Sequence, residues 1–219
     1  MELKVGLKFI EIWKDDLESV VCEYEKQEIH KGDMVFYGPS YFTRWSPKYG
    51  NVTMRDVLVG KSGRQCVTNR GFGSSCAEHQ LYYYSRMVRP LEPSVLVYGS
   101  YENGGAFGYT PEESFLLAQR VVAYAKTDFP NLRIYLCGPH YMLADKNDSA
   151  EQDRKKRYEE LLRALAEKTP DCRYLDVLHH APLTRDDIFI ADNVHYNPTG
   201  YELYADFYRE ALREEFARF

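Results

Sequence analysis

At 219 residues, with 28 Lys and Arg against 33 Asp and Glu, the chain carries a formal net charge of −5, and both signs are dispersed along it. With no basic stripe to meet polyphosphate, nucleic acid and anionic membrane are not expected partners. The charged start MELKVGLKFIEIWKDDLESVV has neither the apolar centre of a secretion signal nor the run of about 20 apolar residues that spans a bilayer, so a soluble cytoplasmic chain is expected.

In chain order, the first 31 residues or so read as a helical extension, with a helix over about Ile10 to Gln27. The run MVFYG, Met34 to Gly38, then reads as a strand. A short helix near Val52 to Leu58 precedes a second strand, CVTN, Cys66 to Asn69. A helix over Ser75 to Val88 leads to the strand SVLVYG, Ser94 to Gly99. Thr110-Pro111-Glu112-Glu113 then offers an N-cap, a first-turn proline and first-turn acids for a helix to Thr127. The strand RIYLCG, Arg133 to Gly138, a helix over Glu151 to Lys168, the strand CRYLDV, Cys172 to Val177, and a closing helix over about Thr199 to Phe219 complete the series. Each strand is short, almost continuously apolar, and rich in β-branched or aromatic residues, the pattern of strands covered on both faces. Alternation with helices implies a three-layer α/β/α sandwich around a mostly parallel five-stranded sheet, flavodoxin-like in type. There is no repeat and no linker, so one domain over residues 1–219 is expected. The five cysteines, Cys22, Cys66, Cys76, Cys137 and Cys172, lack metal-binding or disulfide-framework spacing and read as reduced and mostly buried.

Ligands of open parallel sheets bind outside the carboxyl ends of the strands. Four polar clusters fall on that rim. FYGPS places Ser40 after the first strand, NRGFGSS follows the second, SYENGG the third, and DNVHYNPTGY the fifth after a loop. A serine nucleophile needs a base, an orienter for the base, and donors for an oxyanion. Asp192 and His195, three apart, fit one turn that fixes the imidazole tautomer. Glycine-rich turns expose backbone N–H groups, and Asn103 offers a side-chain amide.

These four blocks resemble the SGNH or GDSL-type serine hydrolases, a family that includes platelet-activating-factor acetylhydrolase-like and carbohydrate-esterase members. VFYGPSYFTRW is similar to the first block, with Ser40 in the nucleophile's place. NRGFGSS is similar to the second, with Ser74 where a glycine gives its N–H to the oxyanion hole. YENGG is similar to the third, with Asn103 matching the oxyanion asparagine, and DNVHYNPTGY matches the last, Asp-x-x-His. The resemblance implies a catalytic Ser40, His195 and Asp192, an oxyanion hole of Ser40, Ser74 and Asn103, and no metal or organic cofactor. It implies a serine esterase acting through an acyl-enzyme on a small-molecule acyl ester. Acetyl or similarly short esters, carried on carbohydrate, are the expected substrates. The alternatives are a non-catalytic ligand-binding member of the fold, or a longer-chain lipase or thioesterase. The oligomeric state is not legible.

The chain departs from the family pattern at Pro39, Ser74, Tyr101 and Gly104. Pro39 removes an N–H, and Ser74 adds a side chain at a glycine position, which requires a negative φ there. Tyr101 and Gly104 replace the glycine and aspartate that flank the asparagine. Bland readings stand beside each site. Ser40 alone reads as a turn residue or N-cap, Asn103-Gly104-Gly105 as a turn, and Asp192 as a cap for the closing helix. His140, His179 and His180 also follow predicted strands, but none has Asp at the spacing of Asp192 and His195. Asp176 reads as structural. Tyr41, Phe42, Trp45 and Tyr82 to Tyr84 read as a sugar-stacking or acyl wall, or more simply as aromatic core.

Overall fold

The computed structural model describes residues 7–219, so the first six residues of the expected N-terminal extension lie outside it. The elements are α1 (Lys14–Glu25), β1 (Met34–Gly38), α2 (Ser40–Thr43), α3 (Met54–Val57), β2 (Val67–Gly71), α4 (Ala77–Met87), β3 (Val95–Gly99), α5 (Pro111–Asp128), β4 (Arg133–Cys137), α6 (Ser149–Lys168), β5 (Cys172–Leu175), α7 (Pro198–Ala211) and α8 (Arg213–Phe216), with short 3-10 turns between them. All five strands pair in parallel, in the order β2-β1-β3-β4-β5. The expected mostly parallel sheet is wholly parallel among the described residues.

Successive side chains of a strand point to opposite faces, which sorts the core into two layers. Val35, Tyr37, Leu96, Tyr98, Ile134 and Leu136 face a layer that takes in Leu17 and Val21 of α1 and the buried sides of α4, α5 and α6. Met34, Phe36, Val95, Val97, Tyr135 and Cys137 face the other, formed with α2, α3, α7 and α8. Every residue of β1 and β3 is buried. The result is an α/β/α sandwich. Four cysteines are buried, Cys22 is half-buried, and all five are free.

Local chemistry fixes the limits of the elements. At α5, Thr110 Oγ1 accepts the Glu113 N–H at 3.1 Å and Glu113 Oε2 accepts the Thr110 N–H at 3.0 Å, a reciprocal capping box with Pro111 in the first turn. The expected closing helix is broken at Leu212, whose dihedrals leave the helical region between α7 and α8. The first helix starts at Lys14 rather than near Ile10, because Trp13 is left-handed at φ 61°. The last strand stops at Leu175, two residues early. The second runs two residues beyond Asn69, and that extension brings Gly71 under α2. Asn69 fastens this junction from both sides: its Oδ1 accepts the Gly71 N–H and its Nδ2 donates to the Phe42 carbonyl, each at 2.8 Å.

No helix among the described residues is long and apolar enough to cross a membrane. The strand order reverses between β1 and β3, so the carboxyl ends of those strands open a crevice, the usual ligand position in such sheets. The close approach at β2 generates a prediction. A Cβ at Gly71 would collide with the Thr43 backbone nitrogen and lie 2.6 Å from the Phe42 carbonyl carbon, whereas one at Gly73 meets nothing nearer than 3.9 Å. Gly71→Ala is expected to cost about 1–3 kcal/mol by overpacking, with Gly73→Ala close to neutral, as read from urea midpoints.

Candidate active site

Ser40 opens α2 directly beyond β1, after Pro39 at φ −81°. His195 arrives from a loop beyond β5 whose shape is set locally. The Ile190 N–H donates to the His195 carbonyl at 2.9 Å, the Asn193 N–H donates to the Ile190 carbonyl at 2.9 Å, and Asn193 itself turns the chain at φ 58°. One oxygen of Asp192 accepts the backbone N–H groups of Val194 and His195, both at 2.9 Å. Its other oxygen lies 2.7 Å from His195 Nδ1. The closing helix is capped instead by Asn197, whose Oδ1 accepts the Gly200 N–H at 3.0 Å. Asp192 is thus engaged with the imidazole loop and not with a helix terminus.

On the opposite side of the ring, His195 Nε2 lies 2.8 Å from Ser40 Oγ. The carboxylate can only accept, so the proton sits on Nδ1 and Nε2 is left to accept from the serine hydroxyl. Burial lowers the His195 pKa below the ordinary histidine value, and Arg44 adds to this; Asp192 opposes it without reversing it. Burial would raise the Asp192 carboxyl, but the N–H groups and ring it binds hold it below the ordinary aspartate value. At neutral pH the pair is therefore carboxylate and neutral imidazole, a base able to take the Ser40 proton. Arg44 Nη2 stands 3.9 Å from Asp192 Oδ2 and its guanidinium lies over Tyr49, 5.0 Å from the ring centre.

Ser40, Gly73, Ser74, Asn103, Arg44 and His195 line one cavity of about 470 Å³ together with Glu102, Asp145 and Glu151. Among the described residues, no protein acceptor takes the backbone N–H of Ser40 or of Ser74. The Asn103 amide donates to the Ser75 carbonyl at 2.8 Å, a contact the sequence did not suggest. It engages one of the two amide hydrogens and fixes the group's direction, leaving the second hydrogen for another acceptor.

The expectation of a negative φ at Ser74 is overturned: the residue is left-handed at φ 63°. The turn that suits a glycine is retained with a serine in it, at the steric cost of a Cβ near the following carbonyl. Asn103 is also left-handed, at φ 67°, where asparagine is better tolerated. At Gly104 a Cβ would come 2.5 Å from Ser114 Oγ, so the aspartate of the family pattern needs Ser114 to move. Tyr41, Phe42, Trp45, Tyr83 and Tyr84 are buried in the core, and Tyr82 is exposed. None of them appears among the residues lining the cavity at Ser40. The core reading holds for all of these aromatics but Tyr82.

A larger cavity of about 730 Å³ shares Met142 and Asp145 with this one and runs along α6 to His179. It holds no nucleophile with a base, so the hydrogen-bonded geometry and not the volume locates the chemistry. Glu159, Asp176 and His179 cluster beside it at metal-ligand spacing. Arg163 already neutralises them, 2.6 Å from Glu159 and 2.8 Å from Asp176. His140, one of the other histidines considered as a base, pairs in the interior with Glu102. That pairing spans 38 residues and carried no sequence signal.

No protein-family model matches the sequence, and no curated protein matches it. Solved structures do. A GDSL-like lipase from Bacteroides thetaiotaomicron aligns with a TM-score of 0.65 at 15% identity, over 93% of this chain and 98% of that one. A lipase/acylhydrolase from Enterococcus faecalis aligns with a TM-score of 0.68 at 16% identity, over 84% and 96%. A variant of a Geobacillus acetyl-xylooligosaccharide esterase aligns at 0.65 and 17% identity, over 84% and 95%. The chain has the fold of the SGNH/GDSL hydrolases.

Two expected outcomes follow from this geometry. Ser74→Gly relieves a left-handed serine and should raise stability by about 1 kcal/mol, measured as a higher urea midpoint. The His195 imidazole, followed by NMR, should titrate below the ordinary histidine value. Removing the nearby cation with Arg44→Gln should move that titration to higher pH, since the imidazolium then meets less repulsion.

Proposed function

We propose that the chain is an SGNH/GDSL-type serine esterase that hydrolyses short acyl esters, acetyl above all, on polyhydroxylated alcohols such as sugars. The observation that carries the reading is the unbroken line Asp192–His195–Ser40, with contacts of 2.7 and 2.8 Å, opening into a cavity lined by donors. His195 takes the Ser40 proton as Oγ adds to the ester carbonyl. The N–H groups of Ser40 and Ser74 and the free amide hydrogen of Asn103 receive the oxyanion. Collapse of the adduct expels the alcohol, protonated by the imidazolium, and leaves an acyl-Ser40. Water activated by the same imidazole then releases the acid, with Asp192 orienting the ring and stabilising its charged form throughout.

The Ser75 carbonyl supports the role given to Asn103: an amide already held by one hydrogen bond is preorganised and does not have to be ordered during reaction. The substrate class rests on the character of the cavity wall. Arg44, Asn103, Asp145 and Glu151 present polar atoms, which suits a hydroxyl-rich alcohol and a small acyl group better than an alkyl chain. The similarity to an acetyl-xylooligosaccharide esterase points the same way.

Ser40→Ala and His195→Ala are each expected to lower kcat by roughly 10⁴ or more, with the double variant little worse because the groups act as a unit. Asn103→Ala should lower kcat by roughly a hundredfold or more with KM little changed. Across esters from acetyl to dodecanoyl, kcat/KM should be highest at the short end. Rates rising steadily with chain length would favour a lipase, and wild-type turnover equal to that of Ser40→Ala on every ester would favour a binding protein.

A further inference from the structure

Glu102 and His140 form a hydrogen-bonded pair inside the molecule, 4% and 2% exposed. Glu102 Oε1 lies 2.5 Å from His140 Nδ1 and also accepts the His140 backbone N–H at 3.3 Å. Burial would raise the Glu102 carboxyl, but His140 holds it below the ordinary glutamate value. The other ring nitrogen, Nε2, lies 2.7 Å from the Tyr204 hydroxyl, so both edges of the imidazole are fixed. Burying such a pair is weak support for stability, since its desolvation rivals its attraction and apolar side chains would serve as well. The placement of the pair is more informative.

The His140 ring lies flat on Tyr41, with centroids 3.7 Å apart and planes 6° from parallel. Tyr41 is the residue after the nucleophile, and its hydroxyl donates to the Val194 carbonyl at 2.5 Å. Val194 is the residue before His195, and Glu102 is the residue before Asn103. A single buried stack therefore reaches the immediate chain neighbours of three groups given chemical roles above: the nucleophile, the base and the oxyanion amide.

Resting on the hydrolase reading above, the geometry points to Tyr41, clamped by the Glu102–His140 pair, as the residue that positions His195 against Ser40. None of the three side chains belongs to the proposed proton relay. They act by holding α2, the segments that follow β3 and β4, and the loop beyond β5 at one spacing. A reacting geometry is sensitive to displacements of about 1 Å. Releasing the clamp should therefore slow the chemical step and leave ground-state binding alone.

The test uses Tyr41→Phe, which keeps the ring stack and removes only the bond to Val194, together with Glu102→Gln and the double variant. Three quantities are read: kcat and KM on a short ester, the rate at which a small fluorophosphonate labels Ser40, and the NMR signal of the His195 ring. Tyr41→Phe should lower kcat and labelling together, roughly tenfold to a hundredfold, with KM unchanged and the His195 signal shifted or broadened. Glu102→Gln should do the same, and the double variant should be no worse than the poorer single, because both act through one contact. Thermal unfolding confirms that each variant is folded at the assay temperature. Should Glu102→Gln not fold, Tyr41→Phe decides by itself. Wild-type kcat and labelling in Tyr41→Phe, or losses that simply add in the double variant, would overturn the assignment. A wild type that neither turns over esters nor labels would defeat the hydrolase reading instead, and the His195 signal would still decide the positioning role: moved by Tyr41→Phe if the clamp holds the ring, unmoved if it does not.

Discussion

The 2.8 Å hydrogen bond between Ser40 and His195 joins residues 155 apart in sequence, and the arrangement around it can be traced to what holds its two ends. The serine end is held because β1 is paired on both sides and wholly buried, and because α2 is wedged between β1 and the end of β2. Asn69 ties that wedge to β2, and Gly71 permits the approach by lacking a Cβ. The histidine end lies on a loop, and a loop needs other restraints. Asp192 supplies three of them, two to backbone N–H groups and one to the ring. The isolated antiparallel bridge between Phe189 and Tyr196 closes the base of the same loop.

Electrostatics follow from this packing. The imidazole is largely withdrawn from water and faces a guanidinium across Asp192, and both effects disfavour the imidazolium. Asp192 opposes them, and the balance keeps the ring neutral. A neutral ring with its proton fixed on Nδ1 is the form that accepts from a serine hydroxyl, so the same contacts set both the orientation of the base and its readiness. The Glu102–His140 pair shows the other way of housing a carboxylate and an imidazole: withdrawal into the interior, with partners on both sides of the ring.

The oxyanion side of the cavity rests on strained backbone. Ser74 and Asn103 are both left-handed, a conformation that costs a residue with a Cβ about 1–2 kcal/mol. The strain is consistent with two loops being bent so that their donors face one cavity, with the surrounding sheet ends holding them there. The Ser75 carbonyl, which anchors the Asn103 amide, belongs to the first of these loops. The two loops are therefore not independent.

The sequence determined whatever depends on neighbours in the chain. Continuous apolar runs located all five strands, and Met34–Gly38 begins and ends where its composition changes. Thr110, Pro111 and the first-turn acids announced the start of α5, and the spacing of Asp192 and His195 lies within reach of a single turn. Only the tertiary structure decided the rest, because the interactions concerned join residues far apart and leave no periodicity to read. The parallel order of the sheet brought Ser40 to His195 and His140 to Glu102. The close approach of β2 to α2 decided where the second strand ends. The left-handed turn at Ser74 ran against the local preference of serine, since the position of the loop is fixed by the strands that carry it and not by the residue within it. The aromatic run around Tyr41 was legible as core, but not which layer it would join, because that is settled by which helices cover each face of the sheet.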